Sequence, residues 1–469
     1  MIRRLIFLWV SVIASIGGCT LSPKYTRPEA PIPSGWPTGA AYQETAAMSG
    51  APTATEIQWR AFLRDERLQY VMEIALDNNR DLRVAALNVQ RARAIYGIQR
   101  AELFPSINAI GSGTKQRVPA DLSSTGKKKI VEEYSVNLGI SAWEIDFFGR
   151  IRSLKERALE EYLATEQARR SAQILLISSV ANAYLILAAD RENFKLAAAT
   201  LETQEATYNL IRRRFEIGLA SELDLRQAQT QVDIARGDIA RFTQLVAQDE
   251  NVLNLLAGTS VPIGLLPADL ASVSAPEQIS PGISSEVLLR RPEILAAEHR
   301  LKAANANIGA ARATFFPRIS LTTAVGTASS ELSGLFKAGS DIWRFAPQVA
   351  MPIFDARLWS AYDATKLEKE IALTQYERAI QTAFREVSDA LAVRVPVAEQ
   401  LSAQESLVNA LSETYRLSAV RYTKGIDSYL GVLDAQRSLY AAQQGLIAIR
   451  LAKLASEVRL YAVLGGGGD

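Results

Sequence analysis

The sequence predicts a mainly α-helical protein with a membrane β-barrel, built from a duplicated helix, β-hairpin and long-helix hairpin unit. Three observations carry that expectation. The chain repeats itself: residues 208–229 align without a gap with residues 415–436 at an offset of 207, with Tyr208/Tyr415, Arg214/Arg421, Gly218/Gly425 and Ser221/Ser428 among the identities. Residues 153–217 hold neither proline nor glycine, and a helix of that length spans about 95 Å. Four runs of about ten residues alternate apolar and polar side chains, the length and period of tilted membrane strands.

From the N-terminus, Arg3 and Arg4 precede an apolar stretch, residues 5–16, too short to cross a bilayer but suited to a signal peptide over residues 1–18. It ends in Ile16-Gly17-Gly18-Cys19, and Cys19 is the only cysteine. This pattern resembles the lipobox of bacterial lipoproteins, in which the thiol carries a diacylglycerol. Two or more acyl chains anchor stably, so Cys19 is the expected lipidation site and no other cofactor is expected. Thr20 follows where an aspartate would redirect sorting, which fits the outer membrane by resemblance. Six prolines between Pro23 and Pro52 exclude a helix and indicate an extended tether within residues 19–60.

Each repeat then has the same order. The first spans 61–258 and the second 286–469, joined by a proline-rich linker, 259–285. A helix (82–103; 294–315) ends at Phe-Pro, since proline cannot continue the ladder. Two strands follow, at about 106–115 and 134–143 in the first copy and 318–327 and 341–351 in the second. Val136, Leu138, Ile140 and Ala142 share one face, and Trp143 and Trp343 sit at opposite strand ends, as in an aromatic girdle. The Lys127–Lys129 run falls in the loop between the first two strands. The long helices come next, with Ala158, Leu175, Ala183 and Ile186 in a seam of near-3.5 spacing. Only the second carries a proline, Pro396, expected to bend it.

Four strands cannot close a barrel, and unpaired backbone groups in lipid cost several kcal/mol each. Two, three or more copies must therefore share one. A net charge of +2 argues against nucleic-acid binding. One cysteine and one histidine exclude an internal disulfide and a Cys/His zinc site. A catalytic triad would need His299, which reads as an exposed helix residue in a polar run. Neither a P-loop nor a zinc-protease motif is present, so no enzyme is expected.

Four motifs identify a family resemblance: Arg421-Tyr-Thr-Lys-Gly425 running on to Gln436, Asn305 through Pro317, Trp143 through Arg150, and Leu289-Arg-Arg-Pro-Glu293. Nearly the whole mature chain resembles the TolC-like outer membrane factors, most closely the OprM/NodT-type lipoproteins of multidrug pumps. The resemblance implies a homotrimer with a 12-stranded β-barrel continuous with a 12-helix periplasmic α-barrel. Its function would be passive export of small molecules, with a periplasmic membrane-fusion adaptor and an inner-membrane RND-type pump as partners. A pore-free scaffold lipoprotein, or the same duct used for metal ions or proteins, stands as the alternative.

Function would then sit at the hairpin tips. Gly218 and Gly425 suit left-handed caps, and Ser221 and Ser428 suit the N-caps of the returning helices. By position after the tip glycines, the resemblance makes Asp224, Asp434, Tyr422 and Asp427 candidates for the periplasmic gate. Asp427 stands where relatives carry arginine. Ser221 through Asp224 is equally a capping box. Arg214, Gly218, Ser221, Arg421, Gly425 and Ser428 are candidates for adaptor contact.

Overall fold

The structure, a computed structural model, describes residues 20–42, 53–54, 56–280 and 284–468. The signal segment and Cys19 lie outside the described residues. Helices α1 (Glu66–Asn78) and α2 (Arg80–Ala101) precede strands β1 (Ile107–Val118) and β2 (Lys129–Glu144) and the long helical hairpin α3 (Arg150–Glu216) and α4 (Glu222–Ala257). The second copy repeats α5 (Pro292–Ala313), β3 (Arg318–Ser329), β4 (Asp341–Ala350), α6 (Ala356–Thr423) and α7 (Tyr429–Val463). The first three strands reach further toward their loops than alternation suggested, β4 begins at Asp341 as expected, and Lys129 belongs to β2 rather than to the loop.

The chain forms two compact units: one of residues 1–29, 88–165 and 296–376, the other of residues 30–87, 166–295 and 377–469. The first holds an antiparallel sheet in sequence order, β1-β2-β3-β4, leaving β1 and β4 as edges. The register sorts its faces. Ile107, Leu138, Ile140, Val325, Trp343 and Val349 lie on one face, and Asn108, Ser112, Asn137, Ser320, Arg344 and Gln348 on the other.

One irregularity matters. The β2–β3 register shifts between Ile140 and Trp143, and Ala142 takes φ +50°. The extra residue is a β-bulge. Simple alternation would put Trp143 on the polar face and Glu144 on the apolar one. The bulge reverses both, so Trp143 pairs with Leu321 and Glu144 with Ser320. Glu144 there meets Arg150 at 2.8 Å and Arg318 at 2.6 Å.

The N-terminal segment of the first unit is extended, as its prolines require, but it is bound rather than free. Arg312 donates to the Leu21 carbonyl at 3.2 Å and Asn305 to that of Pro23 at 2.7 Å. Gly309 leaves room for Ser22, whose hydroxyl occupies the place of its missing Cβ. Tyr25 and Arg27 donate to Glu298, which is buried. His299, expected to be exposed, is instead half-buried, its Nδ1 2.6 Å from Glu160 on α3. A polar sequence context could not show that α3 covers it.

In the second unit, α3 is buried along Ile174, Ile177, Ala181, Tyr184 and Ala188, while Leu175 and Ile186 are exposed. Of the seam read from spacing, Ala158 and Ala183 are buried and Leu175 and Ile186 are not, so it holds only in part. That stretch of α3 is apolar on all sides, so periodicity does not say which side faces inward. Phe62 stacks on Tyr461 with ring centroids 4.0 Å apart. Gly258 takes φ +70° against the Asn78 carbonyl, where a side chain would collide. The linker follows α3 through hydrogen bonds from Tyr184 to the Leu265 carbonyl and from Arg191 to that of Pro267. Arg291, itself buried, is bonded to Glu386 at 2.9 Å. Helix α6 continues unbroken through Pro396.

Candidate functional site at the hairpin tips

Both long helices end in the same backbone device. Gly218 takes φ +78° and donates to Phe215 at 2.9 Å, while Leu219 donates to Arg214 at 2.7 Å. Gly425 takes φ +72° and donates to Tyr422 at 3.0 Å, while Ile426 donates to Arg421 at 3.0 Å. These are Schellman closures, which satisfy the last helical carbonyls and need a residue free to adopt positive φ. The glycines at both tips therefore have a conformational reason to be there.

The tips then diverge. In the first, the Ser221 hydroxyl accepts from the Asp224 N–H at 3.1 Å, and Asp224 accepts from the Ser221 N–H at 3.1 Å. This is a complete capping box, so Asp224 is engaged in starting α4. In the second, Ser428 holds the N-cap position of α7 but its side chain makes no cap bond. That corrects the expectation for Ser428. The residue equivalent to Asp224 is Gly431, which has no side chain to reciprocate. Asp427 instead takes Arg421 in a forked pair at 2.5 and 3.2 Å. The Arg421 bonds hold the Asp427 carboxyl below its ordinary range.

The two tips share an aromatic core. Tyr429, Val432 and Leu433 are buried with Ile211 and Ala228, and Tyr208, Tyr415 and Tyr422 pack against them. The Arg214 guanidinium lies 5.3 Å from the Tyr422 ring centre, and Tyr422 lies 5.4 Å from Tyr429. Burial pushes the Tyr429 hydroxyl well above its ordinary value. Further up, Arg437 donates to Gln231 at 3.2 Å and Tyr440 to Asp238 at 3.0 Å, tying α7 to α4.

The structure thus brings Arg214, Tyr422, Arg421 and Asp427 into one neighbourhood and pairs Asp224 with Ser221. Asp434 stands exposed, with no hydrogen bond or ion pair among the described residues. Ile217, Leu219, Leu223, Ile426 and Leu430 are exposed around the tips. Sequence reasoning missed the Arg421–Asp427 pair and the burial of Tyr429. The seven-residue spacing of Tyr415, Tyr422 and Tyr429 is the signal that could have found the aromatic core. No group of His, Cys, Asp and Glu suited to a metal occurs among the described residues.

The family model described as outer membrane efflux protein matches the chain twice, over residues 71–259 and 283–466. The chain belongs to this outer membrane efflux protein family. Two similar relatives come from Pseudomonas putida: the antibiotic efflux pump outer membrane protein ArpC and the toluene efflux pump outer membrane protein TtgC. Each is 53% identical over 454 residues, covering 96% of this chain and 93% of the relative. Among solved structures, the open state of the Neisseria gonorrhoeae MtrE outer membrane channel superposes with a TM-score of 0.85. It is 36% identical and covers 96% of this chain and 98% of its own. The efflux family fold, helical with a small sheet, is thereby shared over 96% of this chain.

Proposed function

We propose that this outer membrane efflux protein is the exit duct of a tripartite export system, passing small organic molecules out of the cell. Three copies share a twelve-stranded barrel in the outer membrane, anchored by lipid on Cys19. A periplasmic adaptor meets the hairpin tips, and an RND-type inner-membrane pump supplies the energy. The observation that carries the reading is the four-stranded sheet with one apolar face and two unpaired edges, β1 and β4. Such a sheet is stable in lipid only when closed.

Relatives named for antibiotic and for toluene export support a cargo of small, apolar or amphipathic compounds. Thr20, next to Cys19, contacts Ser153 in the first helical turn after the sheet, a position that suits an anchor in the inner leaflet. At the mouth, Asp224 and Asp434 of three chains would form carboxylate rings, which favour cations and repel one another as the opening narrows. Arg421–Asp427 and Arg214–Tyr422 would hold the tips in their resting form.

Planar-bilayer recording tests this reading. The purified protein should give discrete conductance steps, and Asp224→Ala combined with Asp434→Ala should enlarge them or reduce their cation preference. Steps identical to those of the parent would place the gate elsewhere, and no steps at all would remove the duct.

A further inference from the structure

One row of the sheet's polar face crosses all four strands as Asn108, Gly139, Ala324 and Arg344. Arg344 is the only long side chain in it. Most of its neighbours on that face are also small: Ala346 follows on β4 and Thr322 and Gly326 flank Ala324 on β3, while Ile342 precedes it on β4. A side chain at Gly139 would strike the Thr323 carbonyl, and one at Gly326 the Val136 carbonyl. Close strand approach therefore keeps this bed flat. Arg344 is exposed and has no ion pair among the described residues.

Two carboxylates share the face. Glu144 is engaged by Arg150 and Arg318. Glu133 lies six residues along β2 from Gly139, roughly 20 Å away. Neither neutralises Arg344. A guanidinium is charged at every working pH, so this row carries one uncompensated positive charge per chain.

We infer that Arg344 forms an anion-selecting ring in the barrel lumen, drawing carboxylates and phosphates into the outer end of the duct. The inference rests on the three-copy barrel proposed above, in which symmetry sets three Arg344 side chains at one level. Twelve strands at their usual spacing and tilt enclose a backbone ring roughly 25 Å wide. An arginine reaches ~6 Å inward. The three charges then act on the axis from within about one Debye length at 0.1 M salt. Rings of basic side chains favour anions, so the barrel would have the opposite preference to acidic tips.

The test reads the local potential chemically and does not depend on the state of the mouth. Ala346→Cys places a thiol on the same face, one step along β4 from Arg344. Its rates with a sulfonate-bearing and a trimethylammonium-bearing methanethiosulfonate are measured in the detergent-solubilised protein, with the unsubstituted chain as background. Adding Arg344→Gln should lower the anionic-to-cationic rate ratio by about threefold or more at low salt. Arg344→Lys should retain the ratio, and ~1 M salt should abolish the difference. A ratio unmoved by Arg344→Gln at low salt overturns the ring while leaving the barrel standing. A thiol at Ala346→Cys that reacts with neither reagent, while one at Phe345→Cys reacts with both, overturns the barrel reading and the ring with it.

Discussion

Asp249 on α4 lies against Asp190 on α3, and one of its carboxylate oxygens is buried without a hydrogen-bond partner. Burial, and then the facing Asp190 charge, push Asp249 up from 3.8 to about 6. The folded state therefore holds a proton that the unfolded chain releases near pH 4. The stability this contributes is complete below about pH 4 and is lost as pH rises through about 6. Asp249→Asn should flatten the fall in melting temperature between those values; a variant that follows the parent's slope would contradict the pairing. At the tips, Ser221→Ala removes a formed capping box and should cost about 1 kcal/mol. Ser428→Ala removes no bond and should cost almost nothing. Hydrogen exchange in the first turns of α4 and α7 reads the contrast, and equal effects would argue against the difference between the tips.

Among the elements, β2 depends on a single inserted residue. Without the bulge the same sequence would put Trp143 on the polar face and Glu144 on the apolar face, taking a carboxylate away from Arg150 and Arg318. A charge facing lipid costs about 2–4 kcal/mol near the bilayer midplane and less near its edge. Deleting Ala142 removes the extra residue and leaves Trp143 and Glu144 on their present faces, so that variant should keep its heat-resistant oligomer on semi-native gels, and its loss would show that the bulge does more than set the faces. The strands were legible because alternation and length are local. The bulge was not, because Gly139 through Glu144 reads without a break and only pairing with β3 reveals the extra residue. The long helices were legible from the absence of proline and glycine, but not the side that α3 buries, because apolar residues surround it. At the tips the glycines and the first capping box could be read directly. The Arg421–Asp427 pair could not, because its partners lie on opposite sides of a turn whose closure alone brings them together.

For the whole molecule, duplication explains why each copy supplies one hairpin to the sheet and one long hairpin to the helices. It does not explain closure. Edges β1 and β4 remain unpaired in a single chain, and the apolar face that includes Trp343 and Val349 is exposed. Both needs are met at once if β4 of one copy pairs with β1 of the next around a threefold axis. The protein mass of the detergent-solubilised particle, separated from bound detergent by light scattering, tests this most directly. A shared barrel predicts three chains, each 51.2 kDa before removal of any signal segment. A monodisperse particle with the mass of one chain would contradict it, because four strands would then have no way to close.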